Sequence, residues 1–519
     1  MTEKLSSWRA IGLAMRSWRT AAASLLSFSS GLPLGLVWIA IPTWLARIDV
    51  DIKIIGLFTL AQAPWSFKFL WSPLMDRYAL PFARLGQKLG WTLFWQVGLL
   101  ITTLLLGGVA THPDAIWVIG ALTLAIAFAS ASQDIAIDAY AVEVLRPDEQ
   151  GVAVGARTAL YRVAMFLSGG VAITLAGLWS WPAVLALLAL FYVPLMVVTA
   201  YAPRPEQHRA PPPASLRAAV WEPFVSFLTR VRALEILAFV VLYKLADNLA
   251  GALVRPFLVQ VGFNDFDVGI ATATIGLVAT LVGTFLGGML TTTLGLGHAL
   301  WAFGLLQIGS NLGYVLIADV GVHRPLMYGA MAFESLTSGM GTGAFGVLLL
   351  RMTQKQFSAT QYALFSSLFA LPRILAGPVT GVTVDAVGWY DFFILTMVIG
   401  IPGMVMLQRF SPLGVRNPNI ETLVATGAAA APRAVLWRRA AFGAIGGSLV
   451  AAVVAALLDA MKQYRSAPDA GFEFWSPLAA VFMPVGVRDW LQLAGVLIFG
   501  ALIALTAAAT AAARARRRE

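Results

Sequence analysis

The sequence predicts an all-α polytopic membrane protein: two six-helix bundles followed by two extra helices, fourteen spans in all. Three observations lead there. Hydrophobic residues make up 59% of the 519 and charged residues only 12%, and the mean hydropathy is +0.78, which is too apolar for a water-soluble chain. Apolar stretches of about 20 residues, the length that crosses a bilayer, recur along the whole chain. Two polar, proline-bearing segments divide these stretches into groups of six, six and two.

The N-terminal segment MTEKLSSWRAIGLAMRSWRT carries Lys4, Arg9, Arg16 and Arg19 on an otherwise apolar background. That pattern suits an interfacial helix, and it lacks the short apolar core and small-residue cleavage site of a removed signal peptide. Spans are expected near 21–45, 54–75, 89–110, 115–144, 150–176 and 180–201, so that 1–203 forms the first bundle. The linker 204–232, containing APRPEQHRAPPPASLR, is too polar for hydrocarbon. Six more spans near 233–260, 267–291, 296–318, 324–350, 357–386 and 388–408 make the second bundle, 233–410. The remainder, 411–519, holds a second polar stretch and spans near 437–459 and 488–511, bridged by 460–487 with Trp475 and Pro477 on the outer surface. Recurrence of Ile41-Pro42 as Arg255-Pro256, of Gly56 as Gly269 and of Ser72-Pro73-Leu74 as Gly287-Gly288-Met289, at a nearly constant offset, predicts an internal repeat.

Orientation comes from loop charge. Lysine and arginine collect at the N-terminus, around Arg77, Arg84 and Lys88, at Arg146, across Arg204 to Arg232, and at Arg351 and Lys355. All of these fall on one side, which the positive-inside bias makes cytoplasmic, with both termini there. The same bias accounts for the net charge of +10, so nucleic acid is not an expected partner. With no cysteine, disulfides and thiol chemistry are excluded. No metal or cofactor is expected, since no phosphate-cradling loop or zinc spacing is present and His112, His208, His298 and His323 fall in or beside loops. Most of the seventeen tryptophans read as interfacial belt residues, among them Trp44, Trp91 and Trp221. The spacing of Gly31 with Gly35 and of Gly339 with Gly343 lets helices approach closely.

Ionisable residues inside spans carry the functional signal, because each costs roughly 2.5 to 3.5 kcal/mol at a helix centre and therefore faces a partner or an aqueous path. The stretch SASQDIAIDAYAVE places Asp134 and Asp138 one turn apart on one face of the fourth span, beside Gln133. At about 1.5 Å per residue, Asp138 shares a level with Lys68 and Arg157, and Asp134 shares one with Arg162. The expected pairs are Asp138 with Lys68 or Arg157, and Asp134 with Arg162. The second half offers Lys244, Asp247 and Asn248 on the seventh span and Glu334, next to Ser335, on the tenth. Arg255 and Arg373 lie nearer the outer ends, and Arg255 is expected to snorkel to the interface. Six basic residues (Lys68, Arg157, Arg162, Lys244, Arg255, Arg373) against four acidic (Asp134, Asp138, Asp247, Glu334) favour an anionic solute.

The loop SPLMDRYALPFARLGQKLGW resembles the loop signature of the major facilitator superfamily, with Asp76-Arg77 at its centre and Ser72 in place of the leading glycine. More specifically, SSGLPLGL at 29–36, FKFLWSPLMDRYALPF at 67–82 and ASQDIAIDAY at 131–140 resemble the AmpG-type muropeptide permeases. That resemblance implies the facilitator fold, commonly with two extra C-terminal spans. It also implies proton-driven import of anhydromuropeptides (GlcNAc-anhydroMurNAc peptides) across the bacterial inner membrane for peptidoglycan recycling. By the same match Gly31, Gln133, Asp134 and Asp138 become transport-site candidates. Coenzyme A ester and siderophore permeases are similar in the same QD-x-x-x-D region, so another anionic solute is the alternative. A membrane-embedded enzyme or a scaffold is a third class, but an enzyme would gather its groups at one interface, whereas here they are spread through both halves.

The expected roles are therefore proton coupling by Asp134 and Asp138, and substrate contact by Gly31, Gln133, Arg162, Lys244, Asn248, Glu334 and Arg373. Lys68, Asp76, Arg77, Arg157 and Asp247 form a structural charge network. The partners are an anionic muropeptide, protons and membrane lipid, and the chain is expected to act as a monomer.

Overall fold

The computed structural model describes residues 7–48, 50–51, 54–55, 58–80, 85–109, 115–205, 213, 215–230, 232–418, 431–466 and 471–517. Lys4, Arg84, His112, His208 and much of both polar linkers lie outside the described residues. The described secondary structure is helical. The elements are α1 (Ser7–Arg16), α2 (Trp18–Arg47), α3 (Ala63–Phe67), α4 (Ser72–Arg77), α5 (Gln87–Val109), α6 (Ile116–Val144), α7 (Gln150–Leu178), α8 (Trp181–Tyr201), α9 (Leu216–Leu228), α10 (Ala233–Val261), α11 (Asp265–Leu294), α12 (Leu296–Val320), α13 (Arg324–Met352), α14 (Ser358–Phe410), α15 (Arg433–Ser466), α16 (Trp475–Phe482) and α17 (Val487–Arg517).

Eleven of the described helices are long and apolar enough to cross a membrane. Three of the fourteen expected spans are not among them. The second span is a chain of short pieces, because Pro64 and Pro73 each open a new helix; a proline inside a helix removes a hydrogen bond and clashes with the preceding turn. The tenth, α13, is continuous but dilutes its apolar residues with Glu334, Ser335, Thr337, Ser338 and several glycines. The eleventh is the first part of α14, which is joined to the twelfth across Gly388 (φ 80°, ψ 169°).

The chain divides into two compact units: residues 1–219, 236–376 and 387–419 in the first, and 220–235, 377–386 and 420–519 in the second. In the first unit, α1 lays Ile11 and Ala14 against Val152 and Met289, so the amphipathic N-terminal helix rests its apolar side on α7 and α11. Helices meet there through glycine. A side chain at Gly31 would collide with the Tyr161 carbonyl, and α11 meets α13 the same way, Gly283 on Leu336 and Gly287 on Met340. Backbones that touch this closely gain dispersion contacts which no larger residue permits, and in lipid that packing replaces the hydrophobic drive.

In the second unit α15 packs along α17, with Gly443 and Gly447 seated against Ile503. Gln492 donates to Asp459 at 2.8 Å. The bridge expected on the outer surface forms α16, which buries Pro477 and Val481 and leaves Trp475 exposed.

Candidate functional site

Local helix breaks position the charged side chains. Lys68 lies in a single 3₁₀ turn, Lys68–Leu70, between α3 and α4, and Trp71 at its end donates to Ser132 of α6 at 3.0 Å. That turn presents the lysine to the carboxylate face of α6. Lys68 Nζ is 2.5 Å from Asp134 Oδ2 and 3.5 Å from Asp138 Oδ2. Arg157 Nη2 is 2.6 Å from Asp138 Oδ1, and its Nε donates to Ser27 Oγ at 2.9 Å. The order is Asp134, Lys68, Asp138, Arg157: two acids and two bases, shared among three segments of the first half, with no net charge. Gln133, the next residue on α6, is fully buried, and neither end of its amide finds a hydrogen-bond partner among the described residues.

The expected partners of Asp138 are thus both present. The expected pairing of Asp134 with Arg162 is not: Lys68 holds Asp134, and Arg162 lines a cavity elsewhere. Depth along the helix axis is right in both cases and azimuth is not, since two residues five apart on α7 point about 140° away from each other and cannot both face α6.

The second half contains a similar buried lysine at a break. α10 is interrupted between Leu242 and Leu245, and Lys244 stands at the start of the next helical piece. Its Nζ reaches Asp247 Oδ2 at 2.7 Å, the Ser338 carbonyl at 2.8 Å and Ser338 Oγ at 3.1 Å. Ser338 in turn donates to Asp247 at 2.7 Å, and the Asn248 amide donates to the Lys244 carbonyl at 2.8 Å. This cluster ties α10 to α13.

A cavity of about 560 Å³ opens beside Arg162, Arg255 and Glu334, with Tyr314, Thr272, Thr280 and Ser335 among its walls. Glu334 accepts from Ser335 Oγ at 3.2 Å, and Tyr314 lines the same cavity. Arg373 is exposed and lies within electrostatic range of Arg162. Arg255, expected to snorkel, is exposed and stands among the cavity's lining residues, just beyond the break at Leu253 (φ −123°, ψ 28°). Of the expected substrate residues, Arg162 and Glu334 line the cavity, Gly31 is buried against α7, and Lys244 and Asn248 hold the α10 break. The hydroxyls of Thr272, Thr280 and Tyr314 had no signal in the sequence, because an uncharged polar residue in an apolar span is unremarkable. A volume of this size with two guanidinium groups, one carboxylate and several hydroxyls suits a small anionic or zwitterionic solute.

The other end of the unit, where Arg77, Lys88 and Arg351 lie, is closed. Asp76 accepts from Ala359 N at 3.1 Å, Thr360 N at 2.8 Å and Thr360 Oγ1 at 2.6 Å, so its carboxylate caps the positive N-terminus of α14. Lys88 pairs with the same carboxylate at 2.5 Å. Glu143 accepts from Ser358 at 2.6 Å. Gly151 and Gly288 sit backbone on backbone, and Val154 fills the space at Gly346. Arg77 stacks on the Tyr78 ring, 5.5 Å from its centroid. A solute-sized cavity at one end and an ionic latch between the first and second halves at the other describe a carrier caught with one side shut.

The sequence of residues 23–377 matches the family model of the Major Facilitator Superfamily. The chain belongs to this superfamily. Within it, the chain is similar to the anhydromuropeptide permease of Escherichia coli (strain K12), 41% identical over 391 residues that cover 75% of this chain and 79% of that one. It is also similar to a putative transporter, AmpG 4, of Rickettsia felis, at 28% identity over 76% of this chain and 96% of the relative. Among solved structures, a bacterial homologue of the iron transporter ferroportin matches with TM-score 0.53 at 15% identity, over 75% of this chain and 98% of that one. The human organic anion transporter MFSD10 matches with TM-score 0.53 at 17% identity, over 78% and 99%. These two structural likenesses establish the major facilitator fold and nothing finer.

Proposed function

We propose that this superfamily member is a proton-coupled importer of anhydromuropeptides, working as a monomer in the bacterial inner membrane with both termini cytoplasmic. The observation that carries the reading is the cavity in which Arg162 and Arg255 outnumber Glu334, in a chain 41% identical to a permease of that name. Stem-peptide carboxylates meet Arg162, Arg255 and Arg373 there, while Glu334 and the hydroxyls take the sugar and amide donors. Gly31 and Gln133 shape the path on the first-half side, and Lys244 and Asn248 do so on the second.

In this reading Asp134 is the proton-linked carboxylate and Asp138 the second choice. A proton on Asp134 releases Lys68 to Asp138 alone and loosens the joint between the second span and α6, so that solute and proton cross in one alternating-access cycle. Residues 1–203 and 233–410 are the two rocking bundles, and 411–519 contributes no solute-contacting side chain.

The test is uptake of labelled anhydromuropeptide into proteoliposomes, compared with the same disaccharide without its peptide and with a siderophore. One charge-assisted hydrogen bond is worth about 1.5 to 3 kcal/mol. Arg162→Gln is therefore expected to weaken apparent affinity for the peptide-bearing solute roughly tenfold to a hundredfold, with little effect on the bare disaccharide. An equal effect on both, or better uptake of the siderophore by the unaltered protein, rejects the reading.

A further inference from the structure

The second unit contains a groove of about 770 Å³ that the transport cycle does not use. Its floor is apolar, with Leu234, Val435, Ile503 and Ala507 from α10, α15 and α17, and two arginines, Arg439 and Arg514, stand on it. Both guanidinium groups are exposed, and neither makes an ion pair or hydrogen bond among the described residues. Among the described residues no acidic side chain lines the groove. The two threonines in it spend their protons on their own helix, Thr506 on Leu502 O at 2.8 Å and Thr510 on Thr506 O at 2.7 Å, so the arginines are the donors a ligand would meet.

Depth narrows the ligand further. Arg439 is roughly 9 Å along α15 from its start and Arg514 roughly 5 Å from the end of α17, which is the headgroup level of a spanning pair, while the floor continues into the apolar part of both helices. Four residues before Leu234, Arg230 is 4% exposed, and its Nε and Nη1 have no partner among the described residues. Burial pushes its pKa down to about 10, and its close neighbour is the Phe227 ring at 5.0 Å. Arg230 is not among the residues that line the groove, whose donors are Arg439 and Arg514.

We propose that this groove binds an anionic phospholipid of the leaflet on the arginine-rich side, its phosphodiester between Arg439 and Arg514 and one acyl chain along the floor. A basic pocket between membrane helices recognises such headgroups by charge, and the apolar floor separates a lipid from a free anion.

The experiment uses the full-length chain in detergent, titrated with phosphatidylglycerol, phosphatidylcholine or inorganic phosphate and read by native mass spectrometry and thermal shift. Phosphatidylglycerol is expected to bind at least tenfold more tightly than phosphatidylcholine. Arg439→Gln and Arg514→Gln are each expected to weaken it about fivefold, and the pair about thirtyfold. Ala507→Trp keeps both charges and fills the floor, and it too should lose the lipid. Solute uptake by these variants stays at the unaltered level, which verifies folding. Equal binding of the two lipids, full retention by the double variant, or complete displacement of phosphatidylglycerol by millimolar inorganic phosphate overturns the proposal.

Discussion

Asp134→Asn is expected to abolish proton-driven accumulation of solute while leaving solute exchange across the membrane substantially intact. Asparagine keeps the shape of the side chain and removes its titration. The fold survives because Lys68 still has Asp138, at 3.5 Å, so no buried cation is left alone. Lys68→Met is the contrasting case: it leaves Asp134 and Asp138 to share Arg157, and breaking a buried network from that side costs about 3 to 5 kcal/mol. That variant should lose thermal stability and exchange together. Reconstituted protein separates the two readouts, with accumulation measured under an imposed pH gradient and exchange measured with none. Normal gradient-driven accumulation by correctly inserted Asp134→Asn would remove Asp134 from the coupling role.

The second large effect belongs to the latch. Asp76→Ala deletes three hydrogen bonds to the start of α14 and takes from Lys88 its close carboxylate, leaving it the Met75 carbonyl at 3.0 Å and Glu143 at 3.9 Å. Losing about 3 to 5 kcal/mol from the closed end alone moves the conformational equilibrium by a factor of roughly a hundred to several thousand. Because the chain contains no cysteine, a single reporter is free of background. Val154→Cys, 5% exposed at the closed end, should react slowly with a polar maleimide in the otherwise unaltered protein and at least tenfold faster with Asp76→Ala. Thr272→Cys in the cavity should slow under the same change. Acceleration at both sites would indicate unfolding, and no change at Val154→Cys would mean that Asp76 does not hold this end shut.

Much of the fold is legible in the sequence because lipid is a strict solvent: apolar runs of spanning length and charges that cannot face hydrocarbon are conspicuous in any chain. Depth alone therefore brings Lys68, Asp138 and Arg157 together. Depth does not supply rotation about a helix axis, and that is where Asp134 with Arg162 fails. Nor does it show how a break redirects the residues beyond it. Pro64 and Pro73 are visible as residues, yet their consequence, a lysine delivered by a 3₁₀ turn, needs three dimensions.

The contact of Gly151 with Gly288 bears on the speed of the cycle. Where two helices interdigitate through large side chains, separating them means extracting knobs from holes, with rotamers rearranged and voids opened on the way. Bare backbone surfaces part without any of that. At this one crossing there is little side-chain entropy to regain and no repacking to undo, while Val154 at Gly346 and the ionic hydrogen bonds around Asp76 still resist opening. Gly151 and Gly288 thus let the two halves part and meet again at their crossing with little internal friction, and the Asp76 contacts supply the directional hold.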